Sequence, residues 1–311
     1  MSRSRSETRT ARKYGRKNGR TKRRGMRTDL FYRELRNLLL PTAKEAASYE
    51  AKEILASVLR LSETEISMIP FSGKEISPEA QALAKNIVQR RNTSEPLEYI
   101  LGYAWFYGLC FDVTPECLIP QADTEILCEK LVSALKKRGT LAGVCFADIC
   151  TGSGCIALAA LSQTENTTAV GYDISEGALS VAIRNAEKFG LTDRFTAIRA
   201  DIFSSDFLAE AGEFDLIVSN PPYIRSDVIE TLSPEVQKEP HIALDGGADG
   251  LCFYRRLLEV CPKHIKKDGI LLMEIGYDQR KALTALCDSY GFSFAFYKDF
   301  GGNDRVCAVF L

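Results

Sequence analysis

Histidine is scarce in this 311-residue chain, and its two histidines, His241 and His264, do not stand at metal-ligand spacing. Ten cysteines are present but no Cys-x-x-Cys pair occurs, so the common ligand pattern of a zinc site is missing. Most cysteines, such as Cys145 and Cys307, lie in apolar runs, which favours reduced structural thiols over disulfides. No apolar run reaches the length of a membrane span, and no secretory segment is evident. We therefore expect a cytoplasmic, monomeric protein that binds neither metal nor membrane.

Acidic residues are almost absent from the first 27 positions. This segment contains twelve Lys or Arg and one Glu, a net charge of +11, whereas the rest of the chain carries −12. A basic segment without apolar periodicity is predicted to be a disordered extension. Two interpretations stay open. The segment contacts ribosomal or other nucleic acid weakly through its charge, or Met26 is the true start and the segment lies upstream of it.

The sequence after residue 27 divides into three parts. Residues 28–95 are predicted to form a small helical domain, in which Ser77 caps a helix that begins at Pro78. The apolar positions expected on one face of that helix are Ala80, Leu83, Ala84, Ile87 and Val88. Residues 96–120 alternate aromatic and turn residues, which predicts a β-hairpin linker. Residues 121–311 alternate strand and helix patterns, which predicts an α/β domain with an open, mainly parallel sheet.

Four residues, Asn220-Pro221-Pro222-Tyr223, directly follow an apolar run that is predicted to be a buried strand. The carboxyl edge of a parallel sheet is where open α/β folds bind ligands. The Asn220 side-chain oxygen and the Pro221 carbonyl can accept both hydrogens of a planar NH2 group, while the Tyr223 ring covers it. This predicts a pocket for a weak nitrogen nucleophile. The alternative is a proline-rich turn with a capping asparagine.

A glycine loop upstream predicts a nucleotide site. An apolar strand near 144–149 runs into a turn and then an apolar helix start, so backbone N–H groups can face a ligand. The residues of this loop are Cys150, Thr151, Gly152, Ser153 and Gly154. Asp173 ends the next predicted strand, where a carboxylate commonly accepts bonds from ribose hydroxyls. Asp201 follows the third strand, beside Ile202, where an adenine amino group would lie. Either aspartate could instead cap the following helix, and the glycine spacing also fits a dinucleotide site.

Together these motifs resemble the S-adenosylmethionine-dependent methyltransferases that act on planar nitrogen. Reading outward, the chain is similar over residues 28–311 to the family that methylates the side-chain amide of glutamine in class-one peptide release factors. The further motifs that carry this resemblance are Pro96–Gly102, Phe106–Gly108, Leu118–Glu125, Glu239-Pro240, Ala243–Leu251 and Glu274–Gly276. The chain departs from the family pattern at three positions. Gln121-Ala122 stands where the family usually has Arg-Pro, and Cys150 stands where it has Gly.

The resemblance implies a seven-stranded Rossmann-like methyltransferase sheet whose last pair is antiparallel, with a helical substrate-binding domain joined by the hairpin. It implies S-adenosyl-L-methionine as cofactor and transfer of its methyl group to the N5 amide of a glutamine in the release-factor GGQ loop, which tunes translation termination. Asn220 and Pro221 would bind the amide and Tyr223 would pack on it. Asn220 would also border the cofactor, which Gly152 and Gly154 admit, with Asp173 at the ribose and Ile202 at the adenine. Phe106 is expected either to line the substrate pocket beside Pro222 or to pack between the domains.

Three other functions remain open on the sequence. A ribosomal-protein glutamine methyltransferase would share nearly all of these motifs. A DNA adenine N6-methyltransferase uses the same tetrapeptide on a flipped base, but the sequence offers no target-recognition region of adequate size. A non-enzymatic ribosome-binding module would use only the basic extension and would not need the glycine loop.

Overall fold

The computed structural model of the protein describes residues 26–138 and 143–311. Most of the predicted basic extension, residues 1–25, lies outside the described residues. Its last two residues, Met26–Arg27, are described and form strand β1. This strand pairs antiparallel with β2, Glu75–Ile76. Arg27 also forms an ion pair with Asp29, at 3.0 Å between Nε and Oδ1.

Four helices form the amino-terminal domain: α1 (Thr28–Ala43), α2 (Ala47–Leu59), α3 (Glu63–Met68) and α4 (Pro78–Arg91). Ser77 caps α4 as predicted, since its side chain accepts a hydrogen bond from the Ala80 N–H at 3.2 Å. Ala84 and Val88 are buried in the core of this domain, but Leu83 is 54% exposed. Adjacent helical residues point about 100° apart, so Leu83 lies at the edge of the apolar stripe rather than on it.

The linker contains a helix that the sequence pattern did not predict. Helix α5 (Leu97–Leu101) follows Pro96 and ends at Gly102, whose φ of 83° terminates it in the left-handed conformation. The hairpin is therefore shorter than residues 96–120, with strands β3 (Tyr103–Phe106) and β4 (Leu109–Asp112). Tyr107 and Gly108 between them both have positive φ, as a two-residue hairpin turn requires.

A seven-stranded sheet forms the second domain, as the resemblance implies. Its strands are β5 (Val144–Ile149), β6 (Thr167–Asp173), β7 (Phe195–Arg199), β8 (Phe214–Ser219), β9 (Ile265–Glu274), β10 (Ser293–Lys298) and β11 (Asp304–Phe310). The spatial order is β10-β11-β9-β8-β5-β6-β7. Strands β5 to β9 pair in parallel, and β11 is antiparallel to both β9 and β10.

Helices cover both faces of the sheet. They are α6 (Glu125–Arg138), α7 (Cys155–Ser162), α8 (Glu176–Lys188), α9 (Ser226–Ile229), α10 (Cys252–Val260) and α11 (Arg280–Tyr290). One apolar core contains residues of α6, α7 and α8, and the other contains residues of α10 and α11. Within the described ranges, no helix has the length and apolarity needed to cross a bilayer.

The strand order reverses at β5, which lies between β6 and β8. Loops leaving two parallel strands in opposite directions open a crevice at such a switch point. The glycine loop follows β5, Asp173 ends β6 and Asn220 follows β8. The topology therefore brings all three predicted motifs to the same edge of the sheet.

Candidate active site at the carboxyl edge of the sheet

A cavity of about 290 Å³ opens at this edge. The predicted site residues in its wall are Cys150, Thr151, Gly152, Ser153, Asp173, Asp201, Ile202, Asn220 and Pro222. Four other predicted residues do not line it: Phe106, Gly154, Pro221 and Tyr223. The nucleotide loop and the asparagine of the tetrapeptide thus share one cavity.

The glycine loop is held in shape by Asp173. The Gly152 N–H donates to Asp173 Oδ2 at 2.9 Å, and Gly152 has a φ of 56°, which favours glycine. Gly154 packs closely against the helices that follow it. A Cβ added there would lie 3.1 Å from Leu158 and 3.2 Å from Ala182, so the position has little room for a larger residue. Cys150, where the resembling family has glycine, also has a positive φ of 61°. Glycine adopts this conformation without strain, which explains the family's glycine, whereas this chain has a cysteine in the same conformation.

Asp173 is an acceptor for two backbone groups. Its Oδ1 accepts from the Ser175 N–H at 2.9 Å, in addition to the Gly152 contact. Burial raises the pKa of Asp173, and the backbone hydrogen bonds oppose this effect. The side chain that caps α8 belongs to Ser175, which accepts from the Ala178 N–H at 3.1 Å. Asp173 is therefore not the cap, and each carboxylate oxygen retains acceptor capacity toward the cavity.

An apolar wall lies beyond β7. Asp201 Oδ1 accepts from the Phe203 N–H at 2.9 Å, which shapes the turn around Ile202. The Phe203 and Phe253 rings meet edge to face at a centroid distance of 4.9 Å, and both line the cavity. Sequence reasoning missed these two phenylalanines, because Phe253 comes from α10, some fifty residues away along the chain. Their flat surfaces suit an aromatic base.

Asn220 is fixed by a residue from another element. Its Nδ2 donates to Thr124 Oγ1 at 3.2 Å. The remaining polar atom, Oδ1, makes no hydrogen bond within the described part of the chain and is free to accept one from a group in the cavity. This is the polarity that the sequence analysis required for binding an NH2 group. Thr124 was quoted there only as part of a motif, and its contact with Asn220 could not be read from the sequence.

Tyr223 lies differently from the prediction. Its hydroxyl donates to Glu274 Oε1 at 3.3 Å, and its ring does not line the cavity. Two glycines, Gly246 and Gly250, lie against its backbone. A Cβ added at Gly246 would lie 2.7 Å from the Tyr223 Cα, and one added at Gly250 would lie 2.6 Å from the Tyr223 carbonyl oxygen. The Gln279 side chain also donates to the Tyr223 carbonyl at 3.0 Å. The glycine-rich motif near 243–251 therefore holds the end of the tetrapeptide in place.

Phe106 belongs to the core rather than to the cavity. It is 1% exposed and meets Phe111 edge to face at 6.1 Å. The hairpin uses it to bury its inner face against helices of the α/β domain. Of the two roles expected for Phe106, the structure supports packing.

An arginine from β11 forms an ion pair within the motif in which the family has an arginine. Arg305 forms ion pairs with Asp123 at 2.9 Å and with Asp299 at 3.1 Å. Gln121, which replaces the family arginine, donates to the Ile119 carbonyl at 3.1 Å and lines the cavity. The charge of Asp123 is thus balanced without an arginine at position 121.

The thiols do not form a metal site. All ten cysteines are free, and burial raises the pKa of Cys117, in the cavity wall, to about 11. Such a thiol is protonated at neutral pH and is a poor nucleophile. In the described ranges, no group of three or more His, Cys, Asp or Glu residues is arranged to hold a metal ion.

Comparison with known proteins agrees with this geometry. The family model described as methyltransferase small domain matches residues 122–236, and the PrmC N-terminal domain model matches residues 32–102. The ribosomal protein uL3 glutamine methyltransferase of Francisella tularensis is 31% identical, covering 87% of this chain and 83% of that protein. Among solved structures, the hMettl16 catalytic domain in complex with the MAT2A 3'UTR hairpin 6 has a TM-score of 0.51 at 13% identity, covering 75% of this chain and 82% of that one. At that identity the likeness concerns the fold alone.

The release factor glutamine methyltransferase of Agrobacterium fabrum is 40% identical over 260 residues, which cover 83% of this chain and 88% of that protein. An identity of this level along most of both chains, with both domains matched, shows that the chain belongs to the release factor glutamine methyltransferase family.

Proposed function

We propose that this enzyme transfers the methyl group of S-adenosyl-L-methionine to the N5 side-chain amide of a glutamine in the GGQ loop of class-one release factors, which tunes translation termination. The observation that carries the proposal is the orientation of Asn220. Its donor is engaged by Thr124, so its free oxygen is left at the cavity that the glycine loop also lines. Action on a release factor would place the enzyme in the cytoplasm.

The cavity residues fit the proposed cofactor. Ser153 Oγ is buried in the wall and, among the described residues, interacts only with the weakly bonding Cys155 thiol, so it can still bond a polar ligand. Asp173 would hold the ribose hydroxyls, and Gly152 would let the backbone approach the ligand. Ile202, with the Phe203 and Phe253 rings, would flank the adenine. When bound, the sulfonium supplies a methyl group that is already activated for displacement.

Binding and alignment are then the tasks left to the protein. A glutamine amide nitrogen is a weak nucleophile, because its lone pair is delocalised into the carbonyl. Pro221 does not itself line the cavity in this structure, but its carbonyl adjoins Asn220 in the chain. That carbonyl and Asn220 Oδ1 would accept the two N–H bonds of the amide and direct its lone pair toward the methyl group. These contacts strengthen as the nitrogen becomes positive in the transition state, so they favour turnover over simple binding. Tyr223 would support this arrangement from behind the cavity wall, and no general base is assigned.

One experiment tests the substrate directly. The protein is incubated with labelled cofactor and, in separate reactions, with purified release factor, ribosomal protein and DNA, and the modified site is located by mass spectrometry. We expect label on one glutamine of the release factor, and replacement of that glutamine should abolish incorporation. Label on DNA, or label that persists in the release factor without that glutamine, would overturn the proposal.

Ribosomal protein uL3 is the second candidate substrate. It is favoured by one observation, the 31% identity to the Francisella tularensis enzyme of that name. The same reactions separate the two substrates, since the release factor should be modified at the higher kcat/KM. A higher kcat/KM on the ribosomal protein would instead select this alternative.

The basic extension is proposed to be dispensable for catalysis. A chain beginning at Met26 lacks eleven Lys or Arg residues and keeps the whole described fold. It should methylate the release factor at the full-length rate. Any binding to RNA or DNA should weaken and lose most of its salt dependence, because each phosphate contact contributes to that slope. A truncated chain that modified DNA better than protein would contradict both the expected activity on the release factor and the expected loss of nucleic-acid binding.

A further inference from the structure

A buried carboxyl that does not line the cavity contacts the tetrapeptide that contains Asn220. Glu274, the last residue of β9, is 2% exposed, and its Oε1 accepts the Tyr223 hydroxyl at 3.3 Å. An interaction with the Thr124 hydroxyl, which is close to this carboxyl, lowers the Glu274 pKa. The second oxygen, Oε2, is buried without an aligned partner. Thr124 is thus placed between Asn220 and Glu274, and it interacts with both.

The direction of the Thr124 proton decides which end of the Asn220 amide faces the cavity. A hydroxyl has one proton to donate, and a carboxylate can only accept. While Thr124 donates to ionised Glu274, its oxygen accepts from Asn220 Nδ2, and Oδ1 is left for the substrate. A protonated Glu274 could donate to Thr124 instead. Thr124 would then donate to Asn220 Oδ1, and the rotated amide would present its NH2 group to the substrate NH2.

Several titratable or hydrogen-bonding groups surround Glu274. Those that face it are Tyr223 in the tetrapeptide, Thr124 and Asp123 before α6, Arg305 on β11 and Tyr254 on α10. Burial raises the pKa of Glu274 to about 7, Thr124 and Arg305 oppose this rise, and Asp123 adds to it. The Tyr254 hydroxyl donates to the Glu274 main-chain carbonyl at 3.0 Å, not to its carboxyl group.

We infer that Glu274 is a positioning residue, which acts through Thr124 to hold the Asn220 amide with its oxygen toward the substrate. This inference rests on the proposed function of Asn220. It assigns to Glu274 no contact with the substrate and no proton transfer to it. Ionised Glu274 supports turnover and protonated Glu274 does not, so turnover falls as the pH decreases through the carboxyl pKa.

The test compares kcat across pH for the wild type, Glu274→Gln and Thr124→Val, using release factor as substrate. We expect wild-type kcat to fall below about pH 7, as for a group that must be ionised. Glu274→Gln should lower kcat about tenfold at high pH and remove the acid limb, since its amide does not ionise. Thr124→Val should lower kcat similarly, and Thr124→Ser should restore it because it keeps the hydroxyl. Cofactor affinity measured by calorimetry should stay within about threefold in all variants.

Glu239→Gln is the matched control. Glu239 is also a buried carboxyl whose pKa burial raises to about 7, but its partner is the Ile119 N–H rather than the Asn220 network. This variant should retain the acid limb of kcat. Loss of the acid limb in Glu239→Gln and its persistence in Glu274→Gln would overturn the inference. Unchanged kcat in folded Thr124→Val, or failure of Thr124→Ser to restore it, would do the same.

The failure of the proposed function gives a different result. Wild-type protein would then leave the release factor unlabelled at every pH, whatever the state of Glu274. If Thr124→Val does not fold, the loss of the acid limb in Glu274→Gln still decides the inference, because a general packing defect lowers kcat without removing its pH dependence.

Discussion

Replacement of Asn220 by alanine is the most direct test of the site. The side chain lines the cavity and makes one side-chain hydrogen bond, from Nδ2 to Thr124 Oγ1 at 3.2 Å. Alanine removes both that bond and the free Oδ1. The surrounding backbone is held independently, since the Tyr223 carbonyl is bonded to Gln279 and the β8 strand is paired on both sides. The variant should therefore remain folded.

The expected magnitudes separate stability from catalysis. Loss of one hydrogen bond of moderate length should lower the free energy of unfolding by about 1 kcal/mol. Loss of a preorganised acceptor that strengthens in the transition state should lower turnover on the order of a hundredfold or more, about 2.7 kcal/mol. Cofactor affinity should change only a few-fold, because Gly152, Asp173 and the apolar wall are untouched.

The assay measures single-turnover methylation of a release factor at saturating cofactor, with calorimetry of cofactor binding as the control. Reduced turnover with retained cofactor affinity is the expected result. Turnover comparable with the wild type would remove Asn220 from the mechanism. An equal loss of turnover and cofactor affinity would make Asn220 a cofactor ligand instead of the amide-binding residue.

Three further substitutions test the supporting structure. Asp173→Ala should weaken cofactor binding by about 1.5–3 kcal/mol, the range for hydrogen bonds to a charged group, and unchanged affinity in calorimetry would limit Asp173 to a structural role. Gly250→Ala should destabilise the fold by about 2 kcal/mol, because its φ is 72° and the new Cβ would lie 2.6 Å from the Tyr223 carbonyl; an unaltered denaturation midpoint would contradict this. Burial raises the pKa of Glu239 from 4.5 to about 7, so the native state binds more protons in that window and its stability falls as pH rises. Relative to Glu239→Gln, the wild type should lose up to about 3 kcal/mol of unfolding free energy between about pH 5 and pH 8, whereas a pH-independent difference would refute the argument.

Some features were predictable because they depend on neighbouring residues. Ser77-Pro78 defined the start of α4, since a cap and a proline act within one turn. The apolar run near 144–149 located strand β5. Helix α5 escaped prediction because its five residues, between Pro96 and Gly102, are too short to show a helical period. Leu83 was misplaced because a one-dimensional pattern does not show where an apolar stripe ends.

The residues of the candidate site also divide into those that the sequence predicts and those that only the structure brings together. The sequence by itself determined the glycine loop, Asp173 and Asn220, because each follows a recognisable strand and the carboxyl ends of parallel strands meet at one edge. It also determined the family, through motifs spread along both domains. These properties are local, or they follow from the rules of parallel sheets.

Only the tertiary structure decided which atoms of those residues face the cavity. Thr124 is 96 positions from Asn220, and Glu274 is 51 positions from Tyr223, yet both contacts are single hydrogen bonds. The structure also places Phe106 in the core and the Tyr223 ring outside the cavity wall, with its hydroxyl bonded to Glu274. Hydrogen-bond polarity depends on partners brought together by packing, so the sequence could supply the asparagine but not its orientation.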